Sequence, residues 1–372
     1  MSRVVLFIRS LDIGGAERQL VALATGLHKE GMDVRVLSFY SGGALRAELH
    51  AAGVPVSDLG KHGRWDVLTF FFRLVRVLRI ERPEVLYGFL PVANILSALV
   101  KPFVPGIKVI WGVRASEMDL SRYDWLSRRV AYMECRLARF ADRIVANSEA
   151  GRTYHIAQGF PAGSIIVIPN GIDTGRFHFD AEGRRRVRAE WGVRDDEILI
   201  GVSARLDPMK GYETFLEAVA LLAQDWSHVR FACVGEGSPV YRERLVALAR
   251  RLGIADRVVW PGCRHDMPSV YSAFDIASSS SYGEGFSNAI AEAMSCERPC
   301  VVSDVGDSAW IVGKAGRVVP AREAKALARA WRELLDMPAD ARHGLGIAAR
   351  RRIEELASIQ GLVQRTIRVF QE

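Results

Sequence analysis

The sequence predicts an α/β protein made of two doubly wound domains, each with a parallel sheet. Three observations lead there. Short apolar runs alternate with amphipathic helical segments along nearly the whole chain, the pattern of strands covered on both faces by crossover helices. The 372 residues exceed one ordinary core and suit two domains of about 150 to 200 residues. Between the two series lies a turn, Pro169-Asn170-Gly171-Ile172-Asp173, and then a charged stretch from Asp180 to Asp196 that reads as a connector with a short helix. The boundary therefore falls at 172, giving domains 1–172 and 173–356.

The first strand is the apolar run Val4 to Ile8. Leu11 to Gly15 turns the chain, and Leu20, Leu23, Ala24 and Leu27 form the inner face of a helix over about 16–29. A strand, a glycine turn and a helix suit a phosphate or a closely passing substrate, although tight turning alone explains most paired glycines. Strands at 34–39, 85–88, 109–113, 144–146 and 165–168 then alternate with helices near 44–52, 65–81, 92–101, 125–140 and 149–158. The second series runs from Ile198 to about Val319, and the chain ends in helices near 322–336, 338–354 and 357–371. In such sheets the ligand site lies at the carboxyl ends of the strands.

Composition is that of a soluble globular protein, 49% hydrophobic and 25% charged. Met1 leads directly into an apolar run without a basic segment or cleavage site, so no signal peptide is expected. Arg or Pro interrupts every apolar stretch before the roughly 20 residues of a membrane span. The five scattered cysteines, Cys135, Cys233, Cys263, Cys296 and Cys300, read as reduced core residues of a cytoplasmic protein. Neither cysteines nor histidines follow a ligand spacing, and no Asp-x-Asp occurs, so no metal is expected. The net charge of +7 resides in the first 172 residues, which hold 22 Lys/Arg and 15 Asp/Glu. A basic half fits nucleic acid, an anionic membrane surface or a phosphorylated substrate; no nucleic-acid module is present, and that partner is set aside. Within this half, Trp65 to Ile80 carries Arg73, Arg76 and Arg79 on one helical side beside Phe70, Phe71, Leu74, Val77 and Leu78. It reads either as a helix packed on the sheet or as one lying on an anionic membrane.

Chemistry concentrates between Ser278 and Val302. Ile276 and Ala277 close a buried strand, a polar turn holds Glu284, and Ser287 is placed to cap a helix that contains Glu292 and runs to about Ser295. The amides of Gly285, Phe286 and Ser287 point forward from such a helix start and favour an anion. The carboxylates suit hydroxyls of the same ligand. A nucleotide sugar supplies both: Glu292 for the ribose, Glu284 for the transferred sugar, the amides for phosphate. The plainer reading is a helix whose acidic residues complement its own dipole. Arg205 and Lys210 follow the strand that opens the second domain, from where two cations clamp a diphosphate, Arg by bidentate bonds and Lys as a point charge. Val234 to Gly237 is another glycine turn after a strand, and Gly262 with Cys263 follows the strand at 258–260, placed to shape a nucleobase pocket.

Taken in order, GGAE at Gly14 to Glu17, ANS at Ala146 to Ser148, PNGID at Pro169 to Asp173, Arg205 with Lys210, VGEG at Val234 to Gly237, EGF to EAM at Glu284 to Met294 and SDVGD at Ser303 to Asp307 resemble the family 4 retaining glycosyltransferases. Ile110 to Arg114 resembles a branch common in bacterial O-antigen, capsule and exopolysaccharide assembly. The resemblance implies the GT-B fold, two Rossmann-like domains facing a cleft, with the acceptor in the first, the donor in the second, and the helix at 357–372 packed back on the first. It implies metal-free transfer, with retention, of a hexose-type sugar from a UDP- or GDP-linked donor to a saccharide acceptor, in this branch one on a polyprenyl diphosphate. The diphosphate falls to Arg205 and Lys210, the donor sugar to Glu284 and the amides of Gly285 to Ser287, the ribose to Glu292, and Gly15 lies beside the donor phosphate. The departing phosphate itself takes the acceptor proton, without a side-chain base. Many relatives carry a sugar-contacting histidine where this chain has Ala115, a departure that implies a different donor, a substitute in Arg114, or weak activity. The implied location is the cytoplasm, with reversible attachment to the inner membrane face. Two other readings, a nucleotide-sugar epimerase or hydrolase and a noncatalytic carbohydrate-binding partner, need respectively acid/base groups that are not found and no phosphate clamp.

Overall fold

The computed structural model describes residues 3–63, 66–114 and 124–372. It divides into two compact units, Met1–Gly171 with Ile359–Glu372, and Ile172–Ser358. In the first, strands β1 (Arg3–Ile8), β2 (Asp33–Ser38), β3 (Val56–Asp58), β4 (Val85–Phe89), β5 (Lys108–Val113), β6 (Arg143–Ala146) and β7 (Ile165–Val167) form one sheet of order β3-β2-β1-β4-β5-β6-β7. All its pairings are parallel. The connecting helices are α1 (Gly15–Lys29), α2 (Arg46–Ala51), α3 (Val67–Glu81), α4 (Pro91–Val100), α5 (Trp125–Leu137) and α6 (Glu149–Ala157). Side chains of Val4, Leu6 and Ile8 pack on one face with Leu20, Leu23 and Leu27 of α1. Those of Val5 and Phe7 pack on the other with Phe70, Leu74 and Leu78 of α3. Two covered faces are why the strands read as unbroken apolar runs.

The expected helix from Trp65 is α3; Trp65 itself lies outside the described residues, as do Ala115 and Ser116. α3 packs on the sheet, but its arginines do not share one free side. Arg73 turns back to Gly60 O at 2.7 Å and Asp66 at 3.3 Å, and Arg79 Nε donates to Phe103 O at 2.8 Å. Arg76 remains exposed.

The second unit holds α7 (Ala181–Glu190), β8 (Ile198–Ser203), α8 (Tyr212–Ala223), β9 (Val229–Val234), α9 (Pro239–Arg251), β10 (Val258–Gly262), α10 (Met267–Ala273), β11 (Ile276–Ser279), α11 (Asn288–Ser295), β12 (Cys300–Ser303), α12 (Ser308–Val312), β13 (Gly316–Val319), α13 (Ala324–Leu335) and α14 (Ala339–Leu356). Its parallel sheet has the order β10-β9-β8-β11-β12-β13. The order reverses between β8 and β11, which makes their carboxyl ends the crevice where doubly wound sheets take ligands. A last helix, α15 (Ile359–Gln371), returns to the first unit and packs against α1. Among the described residues no helix is long and apolar enough to cross a membrane.

Of the five cysteines, Cys233, Cys296 and Cys300 are buried as expected, but Cys135 is only partly buried and Cys263 is exposed. Cys263 stands just beyond the last residue of β10, where the covered strand has ended.

Candidate donor site

At the reversal point, β8 leads through Ala204 into the loop of Arg205 and Lys210, and β11 leads into Ser280 to Ser287. Two backbone bonds brace the first loop on the VGEG turn: Ala204 N donates to Val234 O at 3.0 Å and Leu206 N to Glu236 O at 2.8 Å. Asp207 then caps the short 3-10 turn Pro208–Lys210. The two loops meet directly. Tyr282 N donates to Met209 O at 2.8 Å and Ser280 Oγ to Lys210 O at 3.1 Å. Gly211 has φ +63, and a Cβ there would lie 2.0 Å from Ser280 O, so no other residue fits without moving the loop. Gly306 does the same from the other side: φ is +53, and its Cβ would stand 1.9 Å from Glu284 O. Asp307 N, one residue on, donates to Gly285 O at 3.1 Å. The SDVGD motif is thus one jaw on the Glu284 loop and the Lys210 loop is the other.

This brings Lys210 and Glu284 together. Lys210 Nζ lies 2.6 Å from Glu284 Oε1, and Ser281 Oγ donates to the same oxygen at 2.7 Å. The pair is mostly sheltered. Arg205, in contrast, pairs with Asp207 at 3.0 Å and leaves 74% of its side chain exposed. The two expected clamp cations thus sit on different carboxylates, Lys210 sheltered on Glu284 and Arg205 largely in solvent beside Asp207.

Ser287 occupies the N-cap position of α11, but its hydroxyl makes no capping bond, contrary to the expectation from its residue type. None of the amides of Gly285, Phe286 and Ser287 donates to another described residue. They are available to an anion. Glu292, within α11, accepts from the Tyr271 hydroxyl at 2.9 Å. Burial, reinforced by the Glu292 carboxylate and opposed by a bond to Ser203, holds the Tyr271 phenol well above its usual range, so it stays a donor. Ser203 ends β8, so Glu292 is tied through Tyr271 to that strand end. Tyr271 and Ser281 were not foreseen. Gly262, at φ +75, accepts from Gly235 N at 2.9 Å, and Cys263 stands exposed beside it at the strand edge.

In the first unit Gly15 is the exposed first residue of α1, at the carboxyl side of β1, again a helix start aimed away from the sheet. Arg114, just past β5, is committed locally. Its Nη1 donates to Asn170 Oδ1 at 2.8 Å and its guanidinium lies 4.9 Å from the Phe89 ring centre. Burial lowers its pKa, with Tyr87 opposing. Gln19 holds the adjoining Gly171 through both backbone groups, at 2.8 and 2.9 Å. The PNGID motif is thus anchored by α1 and β5.

With this geometry, the comparisons with known proteins fall into place. Residues 13–176 match the family described as Glycosyltransferase Family 4, and residues 197–337 match Glycosyl transferases group 1. The chain belongs to the family 4 glycosyltransferases. A D-inositol 3-phosphate glycosyltransferase of Segniliparus rotundus is 35% identical over 46% of this chain and 39% of its own. One of Kineococcus radiotolerans is 32% identical over 59% and 55%. The chain thus spans from two fifths to little over half of the curated relatives it matches. Among solved structures, the Anabaena protein HepE in complex with UDP and glucose aligns with a TM-score of 0.87 at 23% identity, covering 100% of both chains. WaaG, a glycosyltransferase involved in lipopolysaccharide biosynthesis, aligns with a TM-score of 0.74 at 16% identity over 98% and 99%. The fold is GT-B.

Proposed function

We propose that this glycosyltransferase moves a hexose-type sugar from a nucleoside-diphosphate sugar to a saccharide hydroxyl, retaining anomeric configuration and using no metal. The observation that carries the reading is the Lys210–Glu284 pair, 2.6 Å apart, beside three unengaged amides at the sheet's reversal point. A bound diphosphate competes for Lys210 and releases Glu284 to the hydroxyls of the donor sugar. Arg205 closes on the same phosphates from solvent. As the glycosidic bond breaks, negative charge grows on the diphosphate, and Arg205, Lys210 and the amides of Gly285 to Ser287 stabilise it. The departing phosphate oxygen takes the acceptor proton on the face it leaves, which preserves configuration. Glu292, fixed by Tyr271, takes the ribose, and Gly262 and Cys263 border the base. HepE, solved with UDP and with UDP-glucose, supports UDP over GDP as the carrier.

The acceptor we favour is a lipid-linked saccharide of cell-surface polysaccharide synthesis, with the enzyme in the cytoplasm at the inner membrane face. The curated relatives' description as D-inositol 3-phosphate glycosyltransferases favours a second acceptor class, a phosphorylated polyol. A panel of UDP- and GDP-hexoses, assayed for release of the nucleoside diphosphate with each acceptor class, separates these. Turnover with a UDP-hexose, a retained anomer by NMR and a rate unchanged by EDTA are expected. Lys210→Ala is expected to lose about a hundredfold in kcat with its melting curve intact. Nucleotide binding without turnover on any acceptor would make the chain a binding partner, and an epimerised nucleotide sugar would make it an epimerase.

A further inference from the structure

The outer side of the first unit carries its apolar residues in the wrong place for a water-facing surface. In α5 the only buried side chain is Glu134. The helix and the turn after it instead expose Trp125, at 62%, Tyr132, at 65%, Met133 and Phe140. Arg128, Arg129, Arg136 and Arg139 are exposed among them. Within α5, Arg128 and Arg129 follow Trp125 by three and four residues, Tyr132 and Met133 follow Arg129 by three and four, and Arg136 follows Tyr132 by four, which places them along one helical side. Arg129 lies over Trp125 at 5.5 Å and Arg139 over Phe140 at 4.9 Å. No carboxylate other than Glu134 occurs between Trp125 and Phe140.

The surface continues to α3. Lys101 Nζ reaches Phe140 O at 3.1 Å, and Phe103, two residues on, accepts from Arg79 Nε at 2.8 Å. The Phe103 ring packs edge-on against Phe71 at 5.6 Å. Beyond it α3 exposes Leu68, at 75%, Phe72, at 67%, and Arg76. Two helices and the turn at 101–103 thus share exposed aromatics and cations.

We propose that this surface, centred on α5, docks on an anionic phospholipid bilayer. A protein patch this aromatic is ordinarily covered, and a water-facing helix ordinarily turns such residues inward. A bilayer interface takes both groups at once: rings at the headgroup level, guanidinium groups on lipid phosphates. Charge agrees, because the first 172 residues carry 22 Lys/Arg against 15 Asp/Glu. The proposal bears on how a lipid-borne acceptor is met but stands without the transfer reaction, since docking is read with no donor present.

The test is flotation of the full chain with vesicles of phosphatidylcholine alone and with vesicles containing phosphatidylglycerol. Binding only to the anionic vesicles, weakening as salt is raised, is expected. Replacing Arg128, Arg129 and Arg136 together by Gln should weaken it at least about tenfold, while Lys at all three should restore it. Trp125→Ser with Tyr132→Ser should weaken the part of binding that survives high salt. Melting curves and nucleotide binding report that each variant is folded. No flotation at low salt, or flotation indifferent to the α5 substitutions, would overturn the proposal. So would a dimer that the same substitutions dissociate without any effect of lipid, which would give the surface to a second copy of this chain.

Discussion

Glu134 is a carboxyl in a place built for an apolar side chain. It is 5% exposed, its described partner is Asn94 Nδ2 at 2.8 Å, and burial pushes its pKa from the ordinary 4.5 up to about 7, with Asn94 opposing. Below about pH 4.5 it is neutral in folded and unfolded chains alike. Between about 4.5 and 7 the folded state holds a proton that the unfolded state has released, so stability falls as pH rises through this window. The loss amounts to about 3 kcal/mol by pH 8. Glu134→Gln keeps an acceptor for Asn94 and has no proton to lose. Urea unfolding at pH 5 and pH 8 is expected to show the variant gaining about 3 kcal/mol over wild type at pH 8 only; an equal difference at both pH values would place the carboxyl in water. The same scale separates Lys210 from Arg205. Both are loop cations after one strand, yet one is sheltered on Glu284 and the other is solvated beside Asp207, a distinction that no residue type encodes.

The Ser280 to Ser287 loop is placed by its neighbours rather than by its own helix, whose start is uncapped by any side chain. Gly306→Ala is the direct test, because a Cβ there meets Glu284 O at 1.9 Å and φ is +53. Strain in that region costs about 1 to 3 kcal/mol, and relief requires the Glu284 loop to move. Expected are a lower melting temperature and a weaker calorimetric titration with UDP; unchanged affinity would show that the SDVGD contact does not set the loop. The motif was legible in the sequence, but its partner was not, since the two halves of the contact lie over twenty residues apart. Tyr271 was invisible for the same reason: it stands on α10, outside every motif, and reaches Glu292 only once the sheet has formed. The sheets themselves were legible because both faces are covered, so each strand is a run of apolar residues. β3 was not, being three residues long at the sheet edge, none of them fully buried, which leaves no apolar run to read. Ser287 misled for the opposite reason: its type fits a cap, but its hydroxyl forms no such bond.

At the scale of the molecule, the chain passes between units twice, at Gly171–Ile172 and at Ser358–Ile359. The crossings adjoin, for Ile172 N donates to Ala357 O at 2.7 Å and Ile172 bridges Ser358. The first unit is therefore discontinuous and its core is closed by the last helix. Leu362, Val363, Val369 and Phe370 of α15 are buried in the core that α1 shares with the sheet, Phe370 edge-on to Tyr87 of β4. Lys108 Nζ sits on the carbonyls of Val369 and Phe370 at 2.8 and 3.3 Å, a cation where a helix C-terminus favours one. Four such side chains contribute about 6 to 12 kcal/mol as an upper bound, at 1.5 to 3 each, which is comparable to the whole stability of an ordinary domain. Deleting residues 359–372 should therefore unfold the first unit and leave the second folded, since α15 contributes nothing to the cores of Ile172–Ser358. Hydrogen exchange read peptide by peptide is the measurement: protection lost over β1 to β7 and kept over β8 to β13 is expected. Loss spread evenly over both units would mean that they fold as one, and protection retained throughout would mean that α15 adds little to the core it covers.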